Sequence, residues 1–298
     1  MQARKNRIIN YFIILQLVKY NRSKARNIFL KYYDYIDESF EKCSLILSRD
    51  IKDLYDNVNE KIIENANSVF DENINGKIMY FKDNDFPHQV FMVDECPIVL
   101  FYNGNRELLN EKSISVVGTR HPSETGVRNA QRIANFLAHN NITIVSGLAE
   151  GVDYITHDEV AKKGYKKLIA VIGTPLRKYY PKKNMELQNY IREYGLLVTE
   201  YAFFENTLKW NFLRRNYVMS AISSATIVIE ASDTSGTISQ ARSTLKNGRP
   251  LFVPSNVFNN PNNSWPNKFK QEYDNIYKFE SYSQLEELID KYFNKGDY

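Results

Sequence analysis

The sequence predicts an α/β fold: a doubly wound, mostly parallel sheet with helices on both faces, preceded by a small helical domain. Two patterns carry this. From Ser113 onward, apolar runs near 114–118, 142–146, 168–172, 196–199, 226–230 and 250–254 alternate with amphipathic stretches. Such alternation is the mark of parallel strands joined by crossover helices. Before it, Ile9, Phe12, Ile13 and Leu17, then Ile28, Phe29 and Tyr32, recur at helical spacing, and no glycine occurs until Gly76.

The elements follow in order. Residues 1–75 form the helical domain. Its start, basic over 1–7 and apolar from Tyr11 to Val18, superficially resembles a secretory leader. The apolar run is only about eight residues long, lacks a small-residue cleavage site, and is followed by Lys19, Arg22, Lys24 and Arg26. No run approaches the roughly 20 apolar residues of a membrane span. A cytoplasmic protein without a membrane partner is expected. Residues 76–112 read as a connector packing on the core, with β-prone pieces at 77–81 and 98–102 broken by Pro87, Pro97 and the turn Asn103-Gly-Asn105. Residues 113–298 form the sheet domain. Its helices carry regular punctuation: Ser123 as an N-cap before Glu124, and Gly164, Gly195 and Gly248 just past helix ends. Residues 259–264 read as a loop and 283–293 as a last amphipathic helix.

With 298 residues, 43% hydrophobic and 25% charged, the chain can bury one full core and a smaller accessory unit. The net charge of +4 permits an anionic partner without specifying one. Cys43 and Cys96 match neither a paired metal spacing nor a disulfide framework, which suits structural thiols in a reducing compartment. No metal or cofactor is expected.

In a doubly wound sheet the ligand lies beyond the carboxyl ends of the strands. The loops there span 118–123, 147–153, 173–184, 200–216 and 230–237. Gly118 and Gly147 would let backbone N–H groups approach an anion, and Ser235-Gly236-Thr237 opens a helix whose positive end would face phosphate. Arg120, Arg177, Lys178, Lys182, Lys183, Arg214 and Arg215 share this rim. A single phosphate needs two or three cations, so this number argues for a polyanion lying across several loops. Tyr179, Tyr180, Phe203, Phe204, Trp210 and Phe212 are interleaved with the cations, as a stacking platform for unpaired bases would be. No groove-reading helix for duplex DNA is evident.

Several of these residues have plainer readings. The plainer readings pair one of Arg214 and Arg215 with Glu200 or Glu230 and place Tyr180, Trp210 and Phe212 in the core. His157 reads as a satisfied structural histidine and Asp153 as a helix N-cap and loop organiser. Lys162, Lys163, Lys166 and Lys167 read as a solvated face. No nucleophile elbow, paired-carboxylate motif or metal cluster emerges, so binding rather than catalysis is expected.

An ordered succession of motifs runs through Ile98-Val-Leu-Phe-Tyr-Asn-Gly-Asn105, Val117-Gly-Thr-Arg-His-Pro-Ser123 with Gly126, and Ser146-Gly-Leu-Ala-Glu-Gly-Val-Asp153 with His157. It continues through Ile172-Gly-Thr174, Tyr180-Pro-Lys-Lys-Asn184, Thr199-Glu-Tyr201, Arg215-Asn216, Ala225-Thr-Ile-Val-Ile-Glu-Ala231, and Ser235-Gly-Thr237 with Gly248-Arg249. This succession resembles the DNA processing protein A family (DprA, also called Smf). The resemblance implies an extended Rossmann-like domain that binds single-stranded DNA, forms a homodimer and hands the strand to a RecA-type recombinase in natural transformation. It places the family's arginine of Gly-Ser/Thr-Arg on Arg120 and its basic residue after Tyr-Pro on Lys182. The combined DNA or phosphate set is Gly118, Thr119, Arg120, Ser146, Gly147, Lys182, Lys183, Arg214, Arg215, Asn216, Ser235, Gly236 and Thr237. Residues 1–75 could correspond to the family's sterile-alpha-motif-like domain, although the glycine usual in its turn is absent around Asn21 to Ser23.

The chain departs from the family pattern at Pro175, where glycine is usual, at Leu213 before the arginines, at Tyr217 after them, and at Ser255 after the last strand. A C-terminal winged-helix domain is not expected after the sheet, which leaves a role in phage defence or a toxin-associated system open beside transformation. The competing reading is a nucleotide-binding or nucleotide-cleaving enzyme resembling the lysine decarboxylase-like phosphoribohydrolases. Those carry Pro-Gly-Gly before the Gly-Thr and a glutamate shortly after it. Here Thr234-Ser235 precede Gly236, and Ser239-Gln240 stand after Thr237.

Overall fold

The computed structural model describes residues 1–43, 57–93 and 96–293. Of the expected helical segment 1–75, residues 44–56 lie outside the described ones. Helices of at least two turns are numbered here in chain order. A nine-stranded sheet organises the molecule: β1 (Lys77–Tyr80), β2 (Val99–Gly104), β3 (Ser113–Val117), β4 (Thr143–Ser146), β5 (Leu168–Val171), β6 (Leu196–Thr199), β7 (Ala225–Val228), β8 (Leu251–Pro254) and β9 (Ile276–Phe279). Their order across the sheet is β1-β2-β6-β5-β4-β3-β7-β8-β9.

The strands from β6 through β9 are all parallel, while β1 and β2 add antiparallel at one edge. The pieces expected near 77–81 and 98–102 are therefore two strands of the same sheet. Every residue of β3 through β8 is buried, as strands covered on both faces must be. Strand β9 escapes sequence reading because Ile276-Tyr-Lys-Phe279 is only four residues long, with Lys278 exposed and polar residues around it.

The crossover helices α4 (Glu124–His139), α5 (Val152–Ala161), α6 (Met185–Tyr194), α7 (Lys209–Ile222) and α8 (Thr237–Lys246) flank the sheet, followed by α9 (Trp265–Glu272) and α10 (Tyr282–Phe293). Ser123 caps α4 as expected, its hydroxyl accepting from the Gly126 N–H. Gly164 and Gly248 take left-handed φ values of 81° and 71° just beyond helix ends. A buried hydroxyl chain pins the switch-point strands to a helix: Ser115 Oγ lies 2.6 Å from Thr226 Oγ1, which lies 2.7 Å from Thr244 Oγ1 of α8. Unsatisfied hydroxyls at these depths would each cost about 1–3 kcal/mol.

At the N-terminus, α1 (Gln2–Leu17), α2 (Arg22–Lys31) and α3 (Glu60–Ser68) pack together. The apolar run of α1 is core: Phe12 is fully buried, with its ring 5.8 Å from Phe101 of β2 and 6.1 Å from Phe204. Arg22 reinforces the junction. Its guanidinium donates to both carboxylate oxygens of Glu205 at 2.8 and 2.7 Å and lies 4.6 Å from the Tyr201 ring centroid. Among the described residues no helix is long and apolar enough to cross a membrane.

Candidate nucleic-acid interface

The chain order of the strands reverses between β3 and β7, and an open cleft of about 510 Å3 lies at their carboxyl ends. This is where a doubly wound sheet leaves a crevice between diverging crossovers. Two loops form its walls. Gly118-Thr119-Arg120 leaves β3, and Ser232 to Thr237 leads from β7 into α8. The pairing of Val117 with Val228 sets the two loops side by side, and the Thr119 N–H donates to the Glu230 carbonyl at 2.7 Å. Helix α7 supplies the third wall through Lys209, Phe212, Leu213, Arg215 and Asn216.

The loop glycines serve packing. A Cβ on Gly147 would lie 1.0 Å from an Arg215 guanidinium nitrogen, so glycine is required there to seat that arginine. Gly118 makes room in the same way for the Val152 side chain. Gly151, which sequence reasoning passed over, has φ +74°, and a Cβ there would meet the Thr119 and Arg120 carbonyls. It brings the start of α5 against the Gly-Thr-Arg loop, and the Val152 N–H donates to the Thr119 carbonyl at 3.2 Å. Gly236 has open space about it and an ordinary φ of −59°.

The cations separate into two groups. Arg215 is 6% exposed, with a guanidinium nitrogen 3.6 Å from Asp153 Oδ2 and a bond to the Val171 carbonyl at 3.3 Å. Burial pushes the Asp153 carboxyl up, against the opposing pull of Arg215, and pushes the Arg215 guanidinium down. Arg214 pairs through two nitrogens with Glu200, at 3.0 and 3.1 Å. Both arginines of the expected pair are thus tied to acids, where one was anticipated. Lys183 is exposed and pairs with Glu150 at 3.0 Å. Arg120, Arg177, Lys178 and Lys182 are exposed, and among the described residues none of the four has an ion-pair partner. Lys209 joins them on the cleft wall. Its signal was adjacency to Trp210 at the start of α7, which the motif-led reading did not weigh.

Other expected contacts become structural. Ser146 is fully buried, and its hydroxyl donates to the Val116 carbonyl at 2.8 Å, so it ties β4 to β3 and does not meet a ligand. The Asn216 amide donates to the Gly236 carbonyl at 3.3 Å, holding α7 to the start of α8. Ser235 Oγ accepts from the Thr237 N–H and donates to Thr237 Oγ1, shaping the turn into α8. Asp153 is not the N-cap of α5, which is Gly151; its carboxylate accepts from the Gly147 N–H at 3.2 Å and so organises that loop. His157 is fully buried, one ring nitrogen 3.3 Å from the Ile144 carbonyl, and burial lowers its pKa to about 4.

The aromatic residues also divide. Phe204 is partly buried, packed against the core on Phe12. Tyr180 is half exposed on the cleft, its ring 5.0 Å from Phe212, and Trp210 is 63% exposed rather than core. Lys182 and Lys183 stand on a short turn outside the cleft lining. The Asn184 amide anchors that turn by donating to the Leu148 carbonyl at 2.9 Å. No group of three acidic, histidine or cysteine side chains is poised to hold a metal among the described residues.

Fold and site together define a Rossmann-like α/β protein with a cationic, aromatic-lined cleft at the switch point of its sheet. The sequence profile of the DNA recombination-mediator protein A family matches residues 77–285, and the chain belongs to that family. The chain is 36% identical over 176 residues to the DNA processing protein DprA of Streptococcus pneumoniae, covering 59% of this chain and 62% of that one. It is 33% identical over 186 residues to the protein Smf of Escherichia coli, covering 62% and 50%. The alignments thus span less than two thirds of these relatives' lengths. The X-ray structure of Streptococcus pneumoniae DprA superposes with a TM-score of 0.68 at 26% identity, covering 92% of each chain. That of Helicobacter pylori DprA, described for its single-stranded DNA binding mode, gives 0.63 at 25% identity, covering 74% of this chain and 97% of that one.

Proposed function

We propose that this protein is a non-catalytic single-stranded DNA-binding recombination mediator that holds its strand across the switch-point cleft. The observation that carries this reading is the division of the cations. Arg120 and Lys209 face the cleft and Lys182 stands on the neighbouring turn, all exposed, while Arg214 and Arg215 are consumed by internal pairs. Exposed cations without internal partners are available to phosphates, and the Tyr180–Phe212 ring pair beside them offers a face to an unpaired base. Backbone phosphates would lie over Arg120 and Lys182, with the Gly236 N–H adding a backbone donor where α8 begins. Family membership and the single-strand binding of the Helicobacter pylori relative support the same assignment. Hand-off to a RecA-type recombinase and a homodimer belong to the same proposal and rest on family membership alone.

The test is a fluorescence titration with labelled single strand, with duplex and AMP as competitors, at several salt concentrations. Single strand is expected to win, with affinity falling steeply as salt rises. Arg120→Ala combined with Lys182→Ala is expected to weaken binding about 10- to 100-fold, two charge-assisted contacts being lost, and to lower the salt slope by about two. Parent-like binding by that double variant overturns the site assignment. Free base released from a mononucleotide would favour an enzyme.

A further inference from the structure

A second open cavity, of about 450 Å3, lies on the other side of the first turns of α7, against the tight turn that joins α1 to α2. Its walls are chemically unlike a core packing defect. Trp210 is 63% exposed, and Tyr20 and Leu208 are exposed at 38% and 36%. Isolated exposed apolar side chains are ordinary, but a tryptophan, a tyrosine and a leucine around one concavity are not. The acid at its base is neutralised, Glu205 being gripped through both oxygens by Arg22, and Arg214 on its wall is paired with Glu200 behind it. Lys19 is exposed on the turn, Lys24 is exposed in the first turn of α2, and Lys209 stands at the shared helix start. The cavity is therefore aromatic within and cationic at its edge.

The turn itself is unusual. Lys19 and Tyr20 occupy consecutive left-handed conformations, φ 54° and 61°, where side chains are disfavoured and glycine is the ordinary choice. Keeping a lysine and a tyrosine there costs stability and places both side chains on the cavity. Helix periodicity joins this cavity to the first. Lys209, Leu213 and Asn216 face the switch-point cleft, while Trp210 and Arg214 face the second cavity, so only the width of one helix, about 10 Å, separates them.

We propose that this second cavity is a further nucleobase site, which receives the continuation of the strand held in the first cleft by stacking a base on Trp210. The proposal rests on the single-strand reading given above. Glu200 and Glu205 do not repel the strand because their arginines already neutralise them, and Lys19, Lys24 and Lys209 supply the phosphate contacts along the crossing. A polyanion passing over α7 thus meets cations on both sides of the helix and an aromatic face in each depression. Such a platform tolerates any base, since every base presents a π-face.

The experiment uses the full chain with oligothymidylates of about 4 and about 20 nucleotides, bracketing the site sizes of single-strand platforms. The chain holds two tryptophans, and Trp265 is buried, so quenching of the exposed Trp210 reports stacking directly. The longer strand should quench the emission and the shorter strand should not. Trp210→Ala should weaken the longer strand about 5-fold or more and leave the shorter unchanged, while Trp210→Phe should keep most of the affinity. Parent affinity of Trp210→Ala for the longer strand, equal losses at both lengths, or no quenching while the strand binds would each overturn the second site and leave the first intact. Failure of both strands to bind the parent would instead overturn the single-strand reading, and this proposal with it.

Discussion

Arg215 and Arg120 stand on one cleft wall and floor, carry the same guanidinium, and have opposite fates. Arg215 is buried against Asp153, in space that Gly147 leaves vacant, while Arg120 reaches solvent with no ion-pair partner among the described residues. The floor is a piece of architecture that fixes the loop after β4 to the helix α7 that walls the cleft. The rim is a surface whose charge is available to a ligand. A count of cations on a rim therefore overstates the binding charge until the internal pairs are subtracted, because a guanidinium already bonded to a buried carboxylate cannot be taken by a phosphate without exposing that carboxylate.

The comparison can be broken where the effects are largest. Arg215→Ala or Asp153→Ala should cost about 3–5 kcal/mol of unfolding free energy in a denaturant titration, because each leaves its partner buried and unpaired. A cost near zero would place Arg215 with the rim. Gly147→Ala attacks the same floor without touching a charge. Its Cβ must displace the Arg215 guanidinium, so a loss of about 3 kcal/mol is expected. Gly236→Ala, on the rim in open space, should stay within about 0.5 kcal/mol.

His157 sharpens the comparison through pH. Its folded pKa, lowered to about 4 by burial, lies below the ordinary value of about 6.5. Between those values the unfolded chain binds the extra proton, so stability is complete above pH about 6.5 and lost as pH falls toward about 4, by about 3 kcal/mol in total. His157→Gln keeps a donor near the Ile144 carbonyl and removes the titration, and should flatten that part of the stability–pH curve. An unchanged slope would assign the acid sensitivity to groups other than His157, and not to Asp153, whose raised pKa acts in the opposite direction. The rim belongs at the small end of this scale for stability. Arg120→Ala with Lys182→Ala should leave the unfolding midpoint in place while binding falls.

Much of this was legible in the sequence because it is local. Strand runs such as Leu168-Ile-Ala-Val171, the Ser123 cap and the turn glycines Gly164 and Gly248 express preferences that act over a few residues. The candidate site was legible in part, since strand-end loops in a doubly wound sheet must face one side. Arg120 and Lys182 are exposed on those loops, as that rule expects. Ser146 is spent on a bond inside the sheet, which its motif could not show, because a polar residue in a motif carries no mark of whether its hydrogen bond lies inside the fold; Asn216 both ties α7 to α8 and lines the cleft. Trp210 and Lys209 are the converse, side chains whose exposure depends on how α7 is rolled against its neighbours.

The order of apolar and polar residues thus determined by itself the alternation of strands and helices, the parallel sheet and the loops in which a site had to lie, because hydrophobic periodicity and capping are short-range. Tertiary structure alone decided that β1, β2 and β9 widen the sheet, that Gly147 leaves the space that seats Arg215, and that the paired Arg215 stands under the cleft while Arg120 and Lys209 stand exposed along it. Those outcomes depend on which distant carboxylate a side chain meets and on how much water remains around it, quantities set only when residues far apart in the chain are brought within a few ångströms.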